Sequence, residues 1–202
     1  MKPRIVIQQK ITAFTNIYKI LGTDDTGGTT DMIAYAQQKR LAFKEKVTFY
    51  KNDQKTEELF TFRAEKVMDV HGRYIVEDND GHCMGMFKKE FKKSLLNSTW
   101  NIMSAEGDVV FTVRESNQTL AIARRFLAFI PYLGDLFELI TNFMKYHFVF
   151  IEPKTNETVG RYQKTTLFRD HYTLSMTDGA YEKLDWRVLA AMGVALDALQ
   201  SR

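Results

Sequence analysis

The C-terminal segment Leu184–Leu199 is the feature that most constrains the fold of this chain. Its stretch Val188–Leu196 has no charged residue, and its apolar side chains point in every direction around a helical wheel. A helix that is apolar all round is buried in protein or in lipid. The stretch is far shorter than the roughly 20 apolar residues that cross a bilayer. It therefore predicts a buried core helix wrapped by the preceding chain. The core positions are Val188, Leu189, Met192, Ala195 and Leu196.

Length and composition favour one cytoplasmic domain. A chain of 202 residues fits one large domain or two small ones and can build a sizeable core, and we expect a single domain over residues 1–202. One cysteine excludes an internal disulfide and fits a reducing compartment. The first residues show no apolar stretch of the secretory type, so we expect a cytoplasmic protein. The net charge of +3 is too small to indicate nucleic-acid binding.

Short β-rich runs separated by polar turns predict three β-hairpins. Residues 5–21 predict one or two further strands. The Ala- and Gln-rich stretch Met32–Arg40 instead predicts a short helix, with Asp31 as its N-cap. The hairpins combine Val47–Tyr50 with Leu59–Phe62, Tyr74–Val76 with Met84–Phe87, and Phe148–Ile151 with Val159–Tyr162.

The second and third hairpins belong to an internal repeat. Residues 84–89 match 159–164 in order and type, and residues 100–107 match 172–179. Two such antiparallel halves can close a sheet on itself and so remove its edge strands. The pattern predicts a mainly β fold with some helix, a closed antiparallel barrel of duplicated halves around the buried C-terminal helix.

A helical hairpin is predicted between the repeats, at residues 118–146, as an insert within the barrel domain. Apolar residues recur there at helical spacing on both sides of Pro131. One interpretation is a cap over the barrel or a contact to a homodimer or protein partner. The other is membrane contact, with basic residues at lipid head groups and aromatic residues below them. The lipid-binding candidates of this segment are Arg124, Arg125, Phe126 and Phe129.

A second candidate surface is the lysine run that follows Phe87. Lysines near an anionic lipid surface gain on the order of 1 kcal/mol each. The alternative is a solvated strand end whose lysines block edge pairing. The lysines are Lys88, Lys89, Lys92 and Lys93.

No pattern in the chain indicates catalysis. The four histidines are scattered, and the adjacent His82 and Cys83 would point to opposite faces of a strand. Asp78, Asp80 and Gly81 are similar to the start of a calcium loop, but Lys89 occupies the position of its distal glutamate. A turn explains them better. We therefore expect no catalytic residue, no metal and no cofactor, and a protein that is not an enzyme.

The stretch Tyr74–Trp100 and the closing apolar helix resemble the LURP-one-related family. The resemblance extends from Phe43 to the C-terminus, and residues 118–146 are additional to it. That family belongs with the Tubby C-terminal domain and the phospholipid scramblases, which implies a twelve-stranded antiparallel barrel around a central helix. The residues that carry the resemblance are Tyr74, Val76, Asp78 and Gly81, spaced as Tyr-x-Val-x-Asp-x-x-Gly, and the Ser-Thr-Trp of Ser98–Trp100.

The resemblance also bears on function. Tubby domains bind phosphoinositide head groups and scramblases associate with membranes. Neither the Tubby pocket nor the scramblase calcium segment has a residue-by-residue match here, so no site residue is transferred. We expect a non-catalytic binding module that docks on anionic membrane lipid, peripheral to the membrane. The alternative is a scaffold domain that uses the 118–146 insert for a homodimer or partner contact.

Overall fold

The computed structural model describes residues 5–11, 15–24, 28–39, 46–65, 72–90, 98–116, 147–164 and 171–200. Within them, twelve antiparallel strands form a closed barrel in which sequence neighbours pair and the first strand pairs with the last. The predicted closed barrel with a buried C-terminal helix is confirmed. The strands are β1 (Ile5–Ile11), β2 (Thr15–Thr23), β3 (Thr29–Lys39), β4 (Lys46–Tyr50), β5 (Glu58–Ala64), β6 (Arg73–Asp78), β7 (Cys83–Lys89), β8 (Thr99–Met103), β9 (Val109–Glu115), β10 (His147–Ile151), β11 (Thr158–Lys164) and β12 (His171–Met176). The helices are α1 (Asp178–Lys183) and α2 (Trp186–Gln200).

Several strands, such as β4 and β12, show the alternating burial of a strand with one face on a core. Along β12 every second residue is buried, as expected where one face of a strand packs on a core. The three predicted hairpins are β4–β5, β6–β7 and β10–β11, and the predicted N-terminal strands are β1 and β2.

The helix predicted at Met32–Arg40 is wrong, because residues 29–39 form β3 and pair with both β2 and β4. Ala34 and Ala36 are fully buried at alternate positions, where their small side chains face the core. Asp31 lies inside this strand and caps no helix. Two neighbouring strands supply backbone partners along β3, and this outweighs the weak helix preference of alanine and glutamine.

Helix α2 fills the barrel. The Asp185 carboxylate accepts a 2.8 Å hydrogen bond from the backbone N–H of Arg187 and so caps the first turn. Residues 188–196 are all buried, and the exposed fraction of their side chains is at most 2%. Among the described residues, no helix has both the length and the apolar content that crossing a membrane requires.

The two repeats place equivalent glycines against equivalent backbone atoms. A Cβ on Gly85 would lie 3.0 Å from the carbonyl oxygen of Met103, and a Cβ on Gly160 would lie 3.0 Å from that of Ser175. Met103 and Ser175 occupy matching positions of the repeat. At both glycines the neighbouring strand approaches too closely for a side chain.

The antiparallel order gives the barrel two distinct ends. Odd-numbered strands finish, and even-numbered strands begin, at the end where α2 finishes. There Tyr18 of β2 and Tyr172 of β12 donate hydrogen bonds to Asp197 of α2. At the other end α2 begins, and Trp186 contacts Phe60 near the start of β5. The predicted insert at residues 118–146 lies outside the described residues.

Candidate docking surface

Positive charge is concentrated at the end of the barrel where α2 finishes, which we call the basic end. The two outermost residues of each strand there include nine Lys or Arg and a single carboxylate, Glu115. His147 and His171 belong to the same set. The nine basic residues are Lys10, Lys39, Lys46, Arg63, Arg73, Lys88, Lys89, Arg114 and Lys164.

The opposite end, which we call the acidic end, has the reverse balance. The two outermost residues of each strand include three carboxylates, of Glu58, Glu77 and Asp78, and no Lys or Arg. The described connections at this end, including α1, add eleven carboxylates against four lysines. Among the described residues the barrel thus has oppositely charged ends, even when the Glu65 and Glu90 carboxylates that follow β5 and β7 are counted at the basic end. Such a field orients the molecule towards charged partners.

Within the described residues, two cations of the basic end have a carboxylate close by and four have no salt bridge. Arg63 donates hydrogen bonds to Glu77, at 2.6 Å from Nη2, and this raises the pKa of its guanidinium. Arg73 lies 3.8 Å from the Glu65 carboxylate. In contrast, four others have no salt bridge within the described part of the chain. They are Lys10, Lys46, Lys88 and Arg114, and of these Lys88 is half-buried while the rest are exposed.

The predicted lysine run begins at the basic end. Lys88 faces outward, with Arg73 and Asn101 as its cross-strand partners. Lys89 faces the barrel interior, and its ammonium lies 5.6 Å from the centroid of the buried Trp100 ring, within cation–π range. Lys92 and Lys93 of the run lie outside the described residues, and so do Arg124, Arg125, Phe126 and Phe129 of the insert. The membrane, cap and dimer interpretations of the insert stay predictions.

A hydrogen-bonded carboxylate lies beneath the basic end. Tyr18 donates to Oδ2 of Asp197 at 2.9 Å, and Tyr172 donates to Oδ1 at 2.8 Å. Burial, followed by the nearby Asp197 charge, raises the pKa of Tyr18 well above its ordinary value. Tyr18 therefore stays a neutral donor at physiological pH. The pair of bonds fastens the last turns of α2 to β2 and β12.

The Asp78 turn behaves as the turn that its sequence indicates. Asp78 Oδ1 accepts hydrogen bonds from the backbone N–H groups of Asp80 and His82, and Gly81 has a positive φ of 83°. The His82 N–H bond is the first cause of a lowered pKa of Asp78. The side chains of Asp78, Asp80 and His82 each have one possible metal-ligating atom, and these atoms lie within 4.8 Å of one another. Asp80 and His82 are exposed. The hydrogen bonds account for the arrangement without a metal ion.

Sequence patterns miss most of the basic end. Arg73 and Arg114 are isolated in the sequence, and no local motif links them to Lys46. They come together because each lies where an odd-numbered strand finishes or an even-numbered strand begins. Counting charge separately at alternate strand ends, once the hairpins are assigned, would have revealed them.

Comparison with known proteins places the chain in a family. The family model described as LURP-one-related matches residues 32–197, which is most of the chain. Neither the curated proteins nor the solved structures include a significant match.

Proposed function

Because the chain belongs to the LURP-one-related family, we propose that it is a non-catalytic module that docks its basic end on anionic membrane lipid. The observation that carries the proposal is the segregation of charge, with nine Lys or Arg and one carboxylate at the outermost strand positions of that end. An anionic leaflet attracts such a surface and repels the acidic end. Electrostatics therefore selects one orientation of the barrel on the membrane.

The predicted lipid-binding residues are compatible with this orientation. Lys88 and Lys89 belong to the basic end, and β7 finishes there three residues before Lys92 in the sequence. Likewise β9 finishes there before the segment that contains Arg124 and Phe126. We include these residues in the proposal as additional contacts to lipid.

Vesicle co-sedimentation tests the proposal. The full chain is mixed with phosphatidylcholine vesicles that contain or lack phosphatidylserine, at low and high ionic strength. We expect binding only with phosphatidylserine, and weaker binding at high salt. The triple variant Lys46→Glu, Lys88→Glu, Arg114→Glu should bind at least about 100-fold more weakly, since each cation near the surface is worth about 1 kcal/mol.

A matched control reverses three charges at the acidic end instead, as Lys51→Glu, Lys55→Glu, Lys154→Glu. These lysines are exposed. The net charge of the two triple variants is the same, so only the position of the charges differs. Equal loss of binding in both variants would contradict a defined docking end, and so would binding that ignores phosphatidylserine.

A further inference from the structure

The acidic end contains a groove between the β10–β11 turn and α1. Its volume is about 490 Å³. The apolar lining comes from Phe111, Val159 and Ala180, of which Phe111 and Ala180 are buried. Its charged lining comes from Glu152, Glu157 and Lys183. A groove of this kind can hold the aliphatic part of a long side chain while charged groups remain at the solvent boundary.

The charges of the groove do not cancel. The Lys183 ammonium donates a hydrogen bond to the Glu152 carboxylate, and this bond is the first cause of a lowered pKa of Glu152. These two groups neutralise each other. The exposed Glu157 carboxylate has no hydrogen bond or ion pair to a side chain of the described residues. The groove therefore presents one uncompensated negative charge beside an apolar floor.

The negative charge of the groove continues over the rest of the acidic end. Eleven carboxylates and four lysines occupy the described connections there. Such a surface repels anionic lipid and nucleic acid, and it attracts a cationic chain. Charge complementarity thus specifies the chemistry of the occupant.

We propose that the acidic end binds a lysine- or arginine-rich segment of a partner protein, with one basic side chain in the groove. Its aliphatic part lies along Val159 and Ala180, and its cationic group pairs with Glu157. Flanking basic residues meet the surrounding carboxylates. The proposal goes beyond membrane docking and does not depend on it, because the two surfaces lie at opposite ends of the barrel.

Gly179 of α1 offers a direct test of the groove. It lines the groove, and a Cβ added there would meet no atom within 4 Å. A side chain at this position is accommodated without strain, because its backbone is not in the left-handed region. Opposite charges can therefore be placed in the groove on the same backbone.

The experiment measures fluorescence anisotropy of a labelled peptide of alternating lysine and alanine, without lipid. We expect binding to the full chain that weakens as salt rises. Gly179→Lys and Glu157→Gln should each weaken binding about 1.5- to 5-fold, the range for exposed ion pairs, and Gly179→Glu should strengthen it by a similar factor. Asp53→Asn is the matched control, because it removes one exposed carboxylate from the same end but not from the groove.

Three results would overturn the proposal. The first is no binding of the lysine peptide beyond that of an alternating glutamate and alanine peptide. The second is equal weakening by Glu157→Gln and Asp53→Asn, which would mean diffuse charge rather than a groove. The third is binding of spermine as tightly as the peptide, which would make the ligand a small polyamine. The peptide measurements contain no lipid, so a failure of vesicle binding does not affect them. The two proposals can therefore fail independently.

Discussion

The Tyr18 hydroxyl donates a 2.9 Å hydrogen bond to the carboxylate of Asp197, a residue 179 positions later in the chain. Tyr18 belongs to β2 and Asp197 to α2, so this bond joins the wall of the barrel to the helix inside it. Tyr172 donates to the other carboxylate oxygen from the last strand. A carboxylate near a helix C-terminus opposes the helix dipole. The two hydroxyl donors offset that disadvantage and keep Asp197 in place beneath the basic end.

The first prediction concerns the stability that this bond supplies. Tyr18→Phe should lower the free energy of unfolding by about 1–2 kcal/mol, because it removes a partly buried hydrogen bond to a charged group. Urea unfolding followed by circular dichroism measures the change. Tyr50→Phe, at a half-buried tyrosine outside this cluster, should cost less than about 0.5 kcal/mol. Equal effects of the two substitutions would show that the Asp197 bond adds nothing.

The second prediction is a loss of stability at alkaline pH. The pKa of Tyr18 is raised in the folded protein, chiefly by burial and then by Asp197. The unfolded chain therefore releases this proton first, at pH values near the ordinary tyrosine pKa of about 10. The stabilisation is fully present below that pH and is lost as the pH rises above it, with a limiting slope of about 1.4 kcal/mol per pH unit.

Urea unfolding at a series of pH values from neutral to alkaline measures this slope. Tyr18→Phe should have a shallower decline than the unsubstituted protein. Parallel curves for the unsubstituted protein and Tyr18→Phe would refute the assignment of the alkaline effect to Tyr18.

Local sequence patterns predict the hairpins and the central helix correctly. The hairpins follow from alternating β-rich runs and polar turns, and α2 follows from a run of apolar residues that no surface helix tolerates. Strand β3 is different. Its Ala and Gln residues favour a helix only slightly. Backbone pairing with β2 and β4 decides the outcome, and local propensity takes no account of such pairing. No local motif reveals the basic end, for a related reason: closure of the barrel brings together strand ends that are distant in the sequence.

The third prediction tests the assignment of β3. Ala36 is fully buried and pairs with Phe49 and Tyr18, whereas its neighbour Gln37 lies on the opposite face and is half-buried. Ala36→Leu should lower the free energy of unfolding by about 1–3 kcal/mol, because the added carbons overpack the core. Gln37→Leu should change it by less than about 0.5 kcal/mol. Thermal unfolding compares the two, and equal tolerance of leucine at both positions would contradict the alternation of a strand.

The fourth prediction concerns the helix on which the whole barrel closes. Met192 is fully buried at the middle of α2, within a run of apolar residues. Met192→Asp should prevent folding, because an unpaired buried carboxylate costs several kcal/mol and small domains are stable by only about 5–15 kcal/mol. Met192→Leu nearly conserves volume and polarity, so it should cost less than about 1.5 kcal/mol.

Circular dichroism and the cooperativity of urea unfolding measure both variants at Met192. The expected pair of results is an unfolded aspartate variant and a cooperatively unfolding leucine variant. A soluble aspartate variant with a cooperative transition would mean that solvent reaches α2. The helix would then not form the dry core around which the strands close.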